Sequence, residues 1–168
     1  RYAKKDLAGM TEIVCQGVRL VGVIFAFPVG MFCSLYKSVF TVWVGPQYQS
    51  LYWLAVILTC HISFNIACYP LFAVQESFNK IKYPAFLSCI AVVFYFLLVF
   101  ILSTHGLELG VTGVALAGAL TLTLNNFVFT PLHTSFLLEI SPWQLYRSIV
   151  PGLWGFIFTV LLLGFIQN

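Results

Sequence analysis

Neutral polar side chains inside long uncharged stretches are the residues of this sequence best suited to chemistry. His61 and Asn65 lie one helical turn apart in one such stretch, and Asn125 and Asn126 are adjacent in another, residues 113–133 (GVALAGALTLTLNNFVFTPLH). Amides and imidazoles exchange hydrogen bonds with neutral partners and need no opposite charge. The chemistry that these residues could supply is recognition by hydrogen bonding.

Two interpretations of the polar spacing remain open. On a helix, Asn126, Thr130 and His133 share one face, and Asn125 lies about 100° round the axis from Asn126. The side chains either hydrogen-bond between neighbouring helices, at about 1 kcal/mol or less each, or line a water-filled cavity inside a membrane.

Three further residues inside apolar stretches could matter to a ligand or to motion. Lys37 either extends to the outer membrane interface or faces a cavity as an anion contact, and its place close to Val44 favours the interface. Pro28 and Pro131 each remove a backbone donor and can kink a helix, which suits packing and hinge motion equally.

Small residues recur at four-residue spacing in two of these stretches. Gly22, Ala26 and Gly30 form one strip, and Gly113 and Ala117 form another. Strips of this kind let helix backbones approach closely in a membrane. We therefore predict helix–helix contacts along both strips.

The composition excludes a water-soluble domain. Of 168 residues, 61% are hydrophobic and only 8% are charged, and the mean hydropathy is +0.98. Soluble domains carry about a quarter of charged residues, and a surface with so few charges would expose large apolar patches. The sequence predicts an integral membrane protein.

The uncharged stretches predict five transmembrane helices. Each is close to the roughly 20 apolar residues that a spanning helix requires, and none alternates apolar and polar residues as barrel strands do. The fold class is therefore all-α integral membrane. We predict helices at about 18–43, 51–75, 84–104, 111–137 and 148–166.

Basic residues predict the orientation, because cytoplasmic loops are enriched in Lys and Arg. Five crossings place all of them except Lys37 on one side. We predict a cytoplasmic N-terminus and an external C-terminus at Asn168. The basic residues of the predicted cytoplasmic side are Arg1, Lys4, Lys5, Arg19, Lys80, Lys82 and Arg147.

The sequence lacks the residue patterns that several kinds of functional site require. No Asp or Glu lies in the middle of a span, no Gly-rich phosphate loop or HExxH motif occurs, and carboxylates are not paired. We predict no enzymatic activity, no metal, no cofactor and no nucleic-acid partner. The five cysteines are predicted to be apolar packing residues: Cys15, Cys33, Cys60, Cys68 and Cys89.

Three segments together resemble a known family. They are 110–138 (GVTGVALAGALTLTLNNFVFTPLHTSFLL), 72–88 (FAVQESFNKIKYPAFLS) and 25–48 (FAFPVGMFCSLYKSVFTVWVGPQY). The chain resembles the polysaccharide flippase branch of the multidrug/oligosaccharidyl-lipid/polysaccharide exporter superfamily. Asn125 departs from the family pattern, because family members often carry Lys at this position. An Asn here weakens the case for a cationic contact to a pyrophosphate-linked lipid.

The resemblance implies a place within a larger, MATE-like helical bundle of two six-helix lobes. Residues 1–137 would be four helices of the second lobe with a cytoplasmic lead-in, and residues 138–168 a short cytoplasmic loop and one additional membrane helix. We expect the chain to be an excerpt that does not fold stably without the remaining helices of the transporter.

The resemblance also implies the function: transport of lipid-linked oligosaccharide across the plasma membrane by alternating access, with membrane lipids around it. A multidrug or organic-cation antiporter of the same superfamily is the nearest alternative. A membrane glycosyltransferase or polymerase, and a purely structural subunit, are further alternatives that the resemblance supports less well. The substrate or cavity candidates are His61, Asn65, Asn125, Asn126, His133 and Lys37, and the hinge candidates are Pro28 and Pro131.

Overall fold

Five helices long and apolar enough to cross a membrane make up nearly all of the described chain, which confirms the predicted all-α membrane fold. A computed structural model describes residues 6–105 and 108–167. Arg1, Lys4, Lys5 and Asn168, on which part of the orientation prediction rests, lie outside the described residues. The spans are Leu7–Trp43, Pro46–Ala67, Lys82–Ser103, Gly110–Leu138 and Pro142–Ile166.

The first helix, α1 (Leu7–Trp43), begins three turns earlier than the sequence predicts. Asp6 caps it, because its carboxylate accepts a hydrogen bond of 2.9 Å from the N–H of Gly9. At 1.5 Å per residue, α1 is about 55 Å long, well beyond the roughly 30 Å of a hydrocarbon core. The helix passes through Pro28 without a break.

The second span and the helix that continues it are interrupted at two places. After a 3₁₀ segment, its helical course stops at His61 and again at Cys68. Pro70 has no N–H to donate to the turn before it, which accounts for the second interruption. The segments are the 3₁₀ turn Pro46–Leu51, α2 (Tyr52–Cys60), α3 (Ile62–Ala67) and α4 (Tyr69–Ser77).

The third and fourth spans each contain a π-helical turn, in which bonds join residues five apart. Helix α5 (Lys82–Val99) ends in the π turn Phe100–His105. The fourth span is α6 (Gly110–Leu124), the π turn Asn125–Phe129 and α7 (Thr130–Leu138). The last helix, α8 (Pro142–Gln167), begins about six residues before the start that the sequence predicts at 148.

The buried core lies at one end of the bundle. It joins α1, α3, α4, α7 and α8 around Val18, Leu71, Leu138, Leu145 and Ile149, all at most 1% exposed. By contrast, α2 and α5 contribute no buried residue among those described. The chain is therefore packed tightly at the core end, whereas α5 is held mainly along one side.

Glycines set the distance between α1 and α8. A Cβ on Gly152 would lie 2.8 Å from the carbonyl carbon of Gly22, and one on Gly30 would lie 2.9 Å from the Cβ of Thr159. Ala26, between the two α1 glycines, is fully buried. The predicted helix contact along Gly22, Ala26 and Gly30 is confirmed, and its partner is α8.

We expect Gly152→Ala to lower the free energy of unfolding by about 1–3 kcal/mol, because the added methyl group overpacks a backbone contact. Gly164→Ala on the same helix is the matched control, since a Cβ there meets nothing within 4 Å. Equilibrium unfolding of both variants of the full-length protein in detergent measures the difference. Equal stabilities would contradict the close approach of α1 and α8.

Candidate functional site

The interruption at His61 positions an amide–imidazole pair. The Nδ2 of Asn65 lies 2.9 Å from the Nδ1 of His61 and donates to the His61 carbonyl at 2.8 Å. The same amide group lies 3.4 Å from the Oγ1 of Thr123 on α6. Asn65 thus links the broken second span to the fourth span, while His61 is half-buried at the break.

The π turn in the fourth span begins at the asparagine pair. The N–H of Thr130 donates to the carbonyl of Asn125, five residues back, and the Thr130 hydroxyl donates to the same oxygen at 3.2 Å. Pro131 follows at once and has no N–H to offer. The wide turn therefore coincides with the point at which regular α-helical bonding fails.

This turn changes which asparagine faces the neighbouring helices. Regular helical spacing predicts Asn126 on the face of Thr130 and His133, but the structure groups Asn125 with them instead, around one cavity. The reason is that a π turn inserts one residue, which shifts the register of everything before it. Asn126 accepts a long bond of 3.5 Å from the Nδ2 of Asn125.

Gln75 is a buried polar residue that sequence reasoning missed. It is 2% exposed, and its Nε2 donates to the carbonyl of Thr130 at 3.3 Å and to the Oγ1 of Thr134 at 3.0 Å. These bonds join α4 to α7. The only signal in the sequence was an amide at the end of an uncharged stretch.

The ring of His133 lies close to that of Tyr83, which belongs to the preceding span. The rings of His133 and Tyr83 have centroids 4.4 Å apart and planes 33° apart. The Nδ1 of His133 is buried without a hydrogen-bond partner. Both residues line a small cavity of about 10 Å³ between α4, α5 and the fourth span, together with Phe72, Gln75, Pro84, Leu87, Ser88, Asn125, Phe129 and Thr130.

A larger open groove runs between α5 and α6. One part has a volume of about 410 Å³, and its polar lining comes from Ser88, Tyr95, Thr121 and Asn125. An adjoining part of about 340 Å³, between the second span and α6, shares Tyr95, Gly118 and Leu122 with the first part and is lined also by His61. We call the two parts the α5–α6 groove. His61 and Asn125 therefore face one groove from different spans.

The remaining candidates lie elsewhere. Lys37 is exposed on α1, and neither it nor Asn126 lines the small cavity or the α5–α6 groove. Pro28 is exposed within the continuous α1, whereas Pro131 is buried directly after the π turn. The roles of Lys37 and Asn126 as ligand contacts and of Pro28 and Pro131 as hinges stay predictions.

All five cysteines are free thiols. Cys68 is fully buried in the core at the second break. Among residues 6–105 and 108–167, no three His, Cys, Asp or Glu side chains are grouped so that they could hold a metal ion. The described geometry is one of neutral hydrogen-bonding groups along an apolar groove.

A comparison with curated proteins finds a membrane protein. The chain is 33% identical over 134 residues to the uncharacterized membrane protein EpsK of Bacillus subtilis (strain 168). The match covers 80% of this chain but 26% of EpsK, so the chain spans about a quarter of that relative's length. No family model matches the chain, and no solved structure matches it. Together with the five spans, this likeness supports a membrane-embedded multi-pass protein.

We expect Thr134→Val to lower the free energy of unfolding by about 1 kcal/mol, because the hydroxyl bond that links α4 to α7 is lost while the shape is kept. Thr59→Val is the matched control, since the Thr59 hydroxyl bonds only within its own helix, to the carbonyl of Ala55 at 2.7 Å. Equilibrium unfolding of the full-length protein in detergent measures the stability of both variants. A Thr134 variant as stable as the Thr59 variant would contradict this role of Gln75.

Proposed function

We propose that this chain is part of a transporter that moves lipid-linked oligosaccharide across the plasma membrane by alternating access. The observation that carries the proposal is the coincidence of two broken spans with neutral polar side chains on one groove, at His61 and at Asn125. Interrupted helices at membrane depth are typical of transporter binding sites, because irregular backbone is tolerated where it borders a cavity or buried protein.

The chemistry of the groove suits a sugar head group. Amides, an imidazole and hydroxyls exchange hydrogen bonds with sugar hydroxyls. The rest of the lining is apolar and the groove is open, so the lipid tail would stay in the bilayer while the head group crosses. No covalent step is required, and the protein would act as a carrier and not as an enzyme.

The packing suggests which parts move. The fixed unit is the glycine contact between α1 and α8, and the mobile part is α5, which has no buried residue among those described. The π turn before Pro131 would supply the bend. The remaining helices of the transporter, which the family resemblance implies, would cover the open side of the groove.

The orientation proposal draws support from where the described basic residues lie. Positive charge marks the cytoplasmic side, and three basic residues lie at the core end of the bundle, which we assign to the cytoplasm. Each is within two positions of a residue in or against the core cluster: Arg19 by Val18, Lys80 by Phe78 and Arg147 by Ile149.

A transport assay tests the proposal. The full-length protein is reconstituted in vesicles with a fluorescent lipid-linked oligosaccharide, and an impermeant quencher reports which leaflet holds the sugar. We expect Asn125→Ala and His61→Ala to lower the rate about fivefold or more, the equivalent of one lost hydrogen bond of about 1 kcal/mol. Thr59→Val, outside the groove lining, keeps the rate.

Two outcomes would contradict the proposal. The unaltered protein could fail to move the sugar lipid while the same vesicles export an organic cation, which would favour the antiporter. Alternatively, Asn125→Ala and His61→Ala could match the unaltered rate at equal protein abundance. In that case the polar residues serve helix packing alone.

A further inference from the structure

The buried amide of Gln75 has an oxygen that no protein group satisfies. Its orientation is fixed, because the carbonyl of Thr130 can only accept and must therefore face the Nε2. The Oε1 then points away from Thr130 and is buried without a hydrogen-bond partner. Buried polar atoms are nearly always paired, so an unpaired one indicates a place where a ligand or water can bind.

A second unpaired atom belongs to His133, which lines the same cavity. The Nδ1 of His133 is also buried without a partner, and in a neutral imidazole this nitrogen either donates or accepts. Ser88 lines the cavity too, and its hydroxyl hydrogen is used in a 2.9 Å bond to the carbonyl of Pro84. The Ser88 oxygen is therefore available as an acceptor.

The size of the cavity limits what can enter. A volume of about 10 Å³ is the room that one water molecule requires. A phosphate or a sugar ring is too large for it. The partners also argue against a cation, because His133 and Ser88 carry no charge and no carboxylate lines the cavity.

We propose that this cavity binds a single hydroxyl group, which donates to the Oε1 of Gln75 and is held on its other side by the Nδ1 of His133. Two sources share that chemistry. One is a water molecule. The other is a sugar hydroxyl that reaches in from the α5–α6 groove, since Ser88 and Asn125 line both spaces, and this second source rests on the proposed function.

Radiolytic footprinting in H₂¹⁸O tests the proposal in the full-length protein. Hydroxyl radicals formed from a bound water oxidise the side chains beside it, and mass spectrometry locates the ¹⁸O. We expect oxidation of Phe129 and His133 well above that of Phe127 and Tyr146, a half-buried ring pair with centroids 5.4 Å apart that does not line the cavity.

Two variants connect the signal to the proposed partners. Gln75→Met keeps the bulk but removes the acceptor, so oxidation of Phe129 should fall about threefold or more as the water is lost. His133→Phe removes the other partner, and the same fall at Phe129 is expected. Oxidation of Tyr146 serves as the internal control for folding in both variants.

Added lipid-linked oligosaccharide separates the two sources. If Phe129 oxidation falls when the lipid-linked oligosaccharide is added, a sugar hydroxyl displaces the water. If Phe129 oxidation is unchanged, that displacement is overturned and the site holds a bound water. Two results would overturn the hydroxyl site. One is that Phe129 is oxidised no more than Phe127, and the other is that Gln75→Met leaves the oxidation of Phe129 unchanged. Failure of the transport assay with the Phe129 signal intact would reject the proposed function and keep the site.

Discussion

The constraint on which this structure depends is that every backbone N–H and C=O inside hydrocarbon needs a partner. Regular helices meet it by themselves, so any interruption must be repaired locally. At the π turn, the Thr130 hydroxyl shares the carbonyl of Asn125. At the second span, the carbonyl of His61 accepts from the backbone N–H groups of Phe64 and Asn65, and the side-chain amide of Asn65 adds a further bond to it. The polar residues are thus placed where the backbone is irregular, and the same places face the groove.

Packing divides the molecule into a tight part and a loose part. The α1–α8 contact brings backbone atoms together across Gly22 and Gly152, and a methyl group on Gly152 would lie 2.8 Å from the carbonyl carbon of Gly22. Apolar side chains of α5, by contrast, remain exposed along its length, among them Phe86, Val93 and Phe96. Lipid or further helices would cover them in a membrane. A rigid pair of helices beside a loosely held one is an arrangement that permits one element to move against another.

The sequence predicted the spans well and the polar geometry only in part. Runs of uncharged residues of membrane length suffice to find five helices, and four-residue spacing found the glycine strip of α1. The grouping of Asn125 with Thr130 was not predictable from spacing, because periodicity assumes a regular helix. Pro131 signalled a lost donor, but not that an inserted residue would compensate for it. The burial of Gln75 is a tertiary property, which its position at the end of an apolar run does not reveal.

The most direct test of whether these interruptions border a water-filled path is single-cysteine labelling of the full-length protein, freed of its native cysteines, with an impermeant thiol reagent applied from either side. His61→Cys and Asn125→Cys should react, because both positions face the α5–α6 groove, and lipid-linked sugar should protect them. Gln47→Cys and Lys80→Cys, in connecting turns, show that the reagent works. If the two turn positions react while neither groove position does, the polar residues are buried helix contacts and the account is wrong.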